Sequence, residues 1–68
     1  MSDGTKYPEV IVQLTGIDGN AFAILGHCSK EAKRAGLSKA QVDEFMTEAM
    51  AGDYDHLLQT CNKYFDIN

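Results

Sequence analysis

The sequence predicts a small α+β domain of β-α-α-α-β order, with three helices packed on a short two-stranded antiparallel sheet. Three observations carry that expectation. Residues 9–15 (EVIVQLT) alternate and are β-branched, and three later stretches repeat apolar residues at helical spacing between turn or cap signals. The last residues, Phe65-Asp66-Ile67-Asn68, again alternate apolar and polar.

Residues 1–8 (MSDGTKYP) show no period and carry Gly, Asp and Pro, so they are expected to form a loose tail before a single globular domain over 9–68. In the first strand Val10, Val12 and Leu14 fall on one side and Ile11 and Gln13 on the other. TGIDGN, residues 15–20, gathers turn formers, and Asn20 is the expected N-cap of helix one. That helix is expected over 21–35, with a stripe of Ile24, Leu25, Cys28, Ala32 and Ala35 and a stop at Gly36. Lys30, Lys33 and Arg34 suit the negative end of its dipole. Gly26 inside it costs about 1 kcal/mol against Ala and points to a close approach of another backbone.

Ser38 and Gln41 spell a capping box for helix two, with Leu37 placed to staple onto Val42. The apolar set Val42, Phe45, Met46, Ala49 and Met50 then runs on towards Gly52. Helix three takes Asp53 as N-cap and Asp55 in its first turn, and Leu57, Leu58, Cys61, Tyr64 and Phe65 continue the helical period. A final strand over 65–68 is expected beside the first. Two strands leave open edges, which also suit a homodimer formed by edge pairing.

A chain of 68 residues is less than half of the roughly 150 expected per domain, so one domain and no second is expected. With 44% hydrophobic and 24% charged residues it belongs with ordinary globular chains. No apolar run approaches the ~18 residues of a membrane span, and residues 1–9 are too polar for a signal peptide, so a cytoplasmic protein without membrane contact is expected. Cys28 and Cys61 are expected as two buried, reduced thiols.

Ten acidic and six basic residues leave a net charge of −4, which opposes binding to nucleic acid. The charge is also unevenly spread. Lys30, Lys33, Arg34 and Lys39 lie within ten positions, followed by Asp43, Glu44, Glu48, Asp53 and Asp55. Such a bipolar surface suits head-to-tail contacts or a partner of mixed charge, and it is equally the ordinary look of solvated helices.

Four constellations bear on chemistry. Gly16, Asp18, Gly19 and Asn20, between a strand and a helix, form a candidate phosphate or nucleotide site. Against it, the spacing matches neither G-x-x-x-x-G-K-[ST] nor G-x-G-x-x-G, no Lys is present, and Asp18 repels an anion. Ala32, Gly36, Leu37, Val42 and Phe45 have helix-turn-helix spacing, yet the second helix would show Asp43 and Glu44 to DNA, with Lys39 and Gln41 as its contacts. His27, Cys28, His56 and Cys61 are ligand types without chelating spacing, and Asp53 and Asp55 beside His56 fit capping better; no metal or other cofactor is expected. The same Cys and His residues lack an orienting third group, so no catalytic residue is assigned. Tyr7, Tyr54 and Tyr64 suit either an interface or small-domain packing.

Residues 10–26 (VIVQLTGIDGNAFAILG) and 52–61 (GDYDHLLQTC) resemble a group of very small proteins of bacteria, plasmids and phages that are described only as hypothetical. The segments DGNAF-x-ILG (18–26) and GDYDHLL (52–58) carry the likeness, which covers most of the chain after the tail. Members of the group tend to finish in a Trp-containing strand, where this chain has Tyr64 and Phe65. The resemblance implies a bacterial or mobile-element setting and supplies no activity. The functional expectation is therefore a non-enzymatic interaction module for a protein partner, contacting it through Ile11 and Gln13 on the strand edge and through Lys30, Lys33, Arg34 and Lys39. A small-ligand binder using the Gly-rich turn and a DNA-binding helix-turn-helix are the alternatives.

Overall fold

The computed structural model describes residues 5–67. The first four residues of the expected tail, and Asn68 of the expected last strand, lie outside them. The elements are β1 (Tyr7–Val12), α1 (Ala21–Arg34), α2 (Lys39–Ala49), α3 (Tyr54–Tyr64) and β2 (Phe65–Ile67). β1 thus starts two residues before the expected strand and ends three before its expected end, and Tyr7 and Pro8 belong to it.

The two strands pair in parallel, not antiparallel as the sequence suggested. Tyr7 lies opposite Phe65, Ile11 opposite Asp66 and Val12 opposite Ile67, with an irregularity between Tyr7 and Ile11. The reason lies at one end of α3. The Lys6 N–H donates to the Lys63 carbonyl at 2.9 Å, so β1 begins beside the end of α3. Phe65 follows Tyr64 with no linker, in extended backbone (φ −129°, ψ 163°), so β2 begins at that same place and runs alongside β1. Parallel strands need a long crossover, and here all three helices supply it.

The helix boundaries follow local chemistry. The Asn20 side chain accepts from the Ala23 N–H at 2.8 Å and caps α1. At its other end the Gly36 N–H reaches the Lys33 carbonyl and the Leu37 N–H the Ala32 carbonyl, a Schellman motif made possible by Gly36 at φ +102°. Ser38 and Gln41 close their capping box in both directions, at 3.2 and 2.7 Å. Asp53 caps α3 by accepting from the His56 N–H at 2.9 Å. The close approach expected at Gly26 is absent: a Cβ there would meet nothing within 4 Å. Gly26 lies on the exposed face of α1, away from the Ile24, Leu25 and Cys28 stripe.

Val10 and Val12 of β1 face a core formed with Ile24, Leu25, Cys28 and Ala32 of α1, Val42, Phe45 and Ala49 of α2, Leu57, Cys61 and Tyr64 of α3, and Phe65. Aromatic rings fill its centre, Phe45 standing 4.8 Å from Phe65 and 5.5 Å from Tyr64 between ring centroids. The one buried polar residue among the described residues, Thr60, donates its hydroxyl to the His56 carbonyl at 2.8 Å. No helix among the described residues is long and apolar enough to cross a membrane.

Candidate functional site

The start of α1, the end of α2 and the start of α3 meet at one pole of the molecule. Phe22 and Leu25, Ala49 and Met50, and Tyr54 and Leu57 enclose a pocket of about 240 Å³ there, completed by Ala21, Gly52 and Asp53. Its rim is apolar and open to solvent: Phe22 is 84% exposed, Met50 58% and Tyr54 46%. Single exposed hydrophobic residues are ordinary, but several large ones around a pocket mark a contact surface.

Three interactions hold this pole in shape. The Tyr54 hydroxyl donates to the Gly19 carbonyl and ties α3 to the loop before α1. His56 donates from Nε2 to the Glu48 carbonyl at 2.9 Å, crossing the α2–α3 turn. Gly52 leaves the room His56 needs, since a Cβ at position 52 would stand 2.8 Å from His56 Cβ. Seven of the nine pocket residues come from segments 18–26 and 52–58; Ala49 and Met50 are the others. The sequence pattern puts Met50 on a core stripe and makes Tyr54 an interface candidate, but does not single out Phe22. A signal for Phe22 existed, because an aromatic two residues before Ile24 falls off the buried stripe of α1.

The residues of the Gly-rich turn are joined mainly to one another. Gly16 takes φ +85° in a turn closed by the Ile17 N–H and the Leu14 carbonyl. Asp18 accepts from the Asn20 N–H at 3.2 Å, and Asn20 caps α1. Two N–H groups that an anion would want are therefore occupied from within the chain. The turn's link to the pole runs through Gly19.

A second, more polar groove of about 510 Å³ lies along β1 and α1. It unites Ile11, Gln13 and Arg34 of the expected interaction surface, with Thr15, Ile17, His27 and Glu31. His27 donates from Nε2 to the Gln13 carbonyl at 2.8 Å, and Arg34 stands 3.5 Å from Glu31. Lys30 and Lys33 are exposed near the end of α1, without an ion pair among the described residues, and Lys39 pairs with Asp43 at 3.2 Å. The basic group thus occupies the α1–α2 turn, at the opposite end of these helices from the apolar pole. Both side chains considered for DNA contact are engaged, Lys39 with Asp43 and Gln41 in the capping box.

Glu48 is the busiest charged group. It pairs with Lys63 at 2.7 Å and accepts from the Tyr64 hydroxyl at 2.8 Å. These partners, Lys63 first, hold its carboxyl below the usual carboxylate range. Burial, and then the bond to Glu48, push the Tyr64 phenol up to about 12. In the core, Cys28 donates its Sγ–H to Cys61 Sγ across 3.7 Å. That bond and burial raise the Cys28 thiol well above its ordinary value. No group of three or more His, Cys, Asp or Glu side chains among the described residues is placed to hold a metal.

No family model, curated protein or solved structure matches the chain.

Proposed function

We propose that the protein is a non-enzymatic interaction module that holds a segment of a partner protein at the apolar pole. One observation carries the reading: Phe22, Met50 and Tyr54 stand exposed around a pocket large enough for an apolar side chain. Charge selects the kind of partner. Asp18, Asp53 and Asp55 lie in the segments that form this pole, are exposed and make no ion pair among the described residues, in a chain of net charge −4. A partner segment with an apolar anchor flanked by Lys or Arg fits both features. Like-charged second copies meeting pole to pole would instead repel. The reading takes the cytoplasm as the protein's compartment, whose reducing poise suits the resting thiols of Cys28 and Cys61.

A photo-reactive amino acid at position 22, compared with one at position 33 on the basic end, tests this in cells that carry the protein. The expected result is one discrete adduct from position 22, mapping to an apolar residue flanked by basic ones and lost in the Met50→Glu variant. Adducts only from position 33, or only to a second copy of the chain, overturn the reading.

A further inference from the structure

We propose that Cys28 and Cys61 form a dithiol that a hydroperoxide oxidises to an intramolecular disulfide, stapling α1 to α3 beneath the apolar pole. The inference is independent of the interaction reading. It stands on placement: two residues 33 apart in sequence bring their sulfurs to 3.7 Å inside the core. A disulfide needs about 2.05 Å, so each sulfur has to move by roughly 0.8 Å when the shift is shared. Leu25, one turn before Cys28, and Leu57, one turn before Cys61, both line the apolar pocket. The bond would therefore lie one helical turn under the pocket floor.

Burial selects the oxidant. Cys28 is 0% and Cys61 1% exposed, so any oxidant reaches them through a local opening of the core, and hydrogen peroxide, little larger than water, needs a far smaller opening than a bulky disulfide such as oxidised glutathione. The thiol bond from Cys28 lowers the Cys61 thiol against the opposing effect of burial, which favours Cys61 as the first nucleophile. Its thiolate attacks one peroxide oxygen; the O–O bond breaks, the leaving hydroxide takes up a proton as water, and Cys61 becomes a sulfenic acid. The Cys28 sulfur then displaces the sulfenic hydroxyl, forming the S–S bond and releasing a second water. Two electrons pass from the sulfurs to the peroxide, and the two thiol protons finish in the two waters.

The test treats the reduced, purified chain with hydrogen peroxide, then unfolds it, alkylates it and weighs it. Methionine oxidation is read separately by peptide mapping, and Met50, being exposed, serves as the internal clock. The expected product is a monomer lighter by two hydrogens at the cysteines, resistant to alkylation and restored by dithiothreitol. Its thermal midpoint should rise by roughly 15–30 °C through loop closure. Thiols that still alkylate fully once Met50 is oxidised overturn the proposal, as do sulfinic acids or chains bridged to one another. Since the readout uses the unaltered chain, it does not depend on a variant that folds.

Discussion

The Tyr54 hydroxyl donates to the Gly19 carbonyl, joining the first residue of α3 to the loop that leads into α1 across 35 positions of sequence. It holds Tyr54 beside Phe22, and so defines one wall of the apolar pocket. Tyr54→Phe keeps the ring and removes the bond. Because both groups are exposed, water replaces the lost partner, and the expected cost is about 0.5–1.5 kcal/mol with faster amide exchange over residues 16–20. Urea unfolding and hydrogen exchange measure the two effects. If exchange in the loop is unchanged, the bond does not organise the pole.

Gly52 and His56 should behave as a coupled pair. Gly52→Ala drives a Cβ to 2.8 Å from both Cβ and Cγ of His56, which also carries the bond to the Glu48 carbonyl. A loss of roughly 1–3 kcal/mol is expected. A His56→Ala background removes the contacts with Cγ and Cδ2 but keeps the one with Cβ, so a double-mutant cycle by chemical denaturation should return part of the loss as an interaction energy. Strict additivity would mean that Gly52 is required for another reason.

Gly26 offers the opposite case. Its position is helical, exposed and open, and a methyl group added there would have nothing within 4 Å. Gly26→Ala should therefore stabilise the domain by about 1 kcal/mol through helix propensity and the unfolded chain's entropy. Denaturant midpoints decide it; a destabilised variant would reveal a packing role for the missing side chain.

Tyr64 and Glu48 make stability depend on pH at opposite ends of the scale. The folded state raises the phenol from 10.0 to about 12, so its contribution is complete below pH 10 and is lost as pH climbs towards 12. The carboxyl of Glu48 is lowered, so its contribution is present above the ordinary glutamate value and is lost as pH falls through the lowered one. Thermal midpoints of Tyr64→Phe should fall less than those of the parent between pH 10 and 12, and those of Glu48→Gln should fall less in acid. Parallel curves for variant and parent would remove the pair from the account of pH dependence.

Much of the fold is legible because its signals are local. The buried stripe of α1 is read from Ile24, Leu25, Cys28 and Ala32, although Ala35, expected on it, is the exposed C-cap, and the caps Asn20, Ser38 and Asp53 each act on an N–H three residues ahead. The alternation of Val10, Ile11 and Val12 likewise predicts which side chains turn inward. Gly26 shows the limit of such reasoning, since the sequence reports a missing side chain but not what stands opposite it.

Element type, order and the caps were determined by the sequence alone, because spacing over a few residues decides which backbone groups are satisfied and which side chains share a face. The tertiary structure alone decided the strand direction, the apolar pole and the meeting of Cys28 with Cys61. Each depends on contacts between distant residues: Lys6 with Lys63 sets both strands running the same way, and Gly19 with Tyr54 closes the pole around Phe22. A three-residue β2 has too short a pattern to encode its own direction, so the end of α3 from which it leaves imposes it.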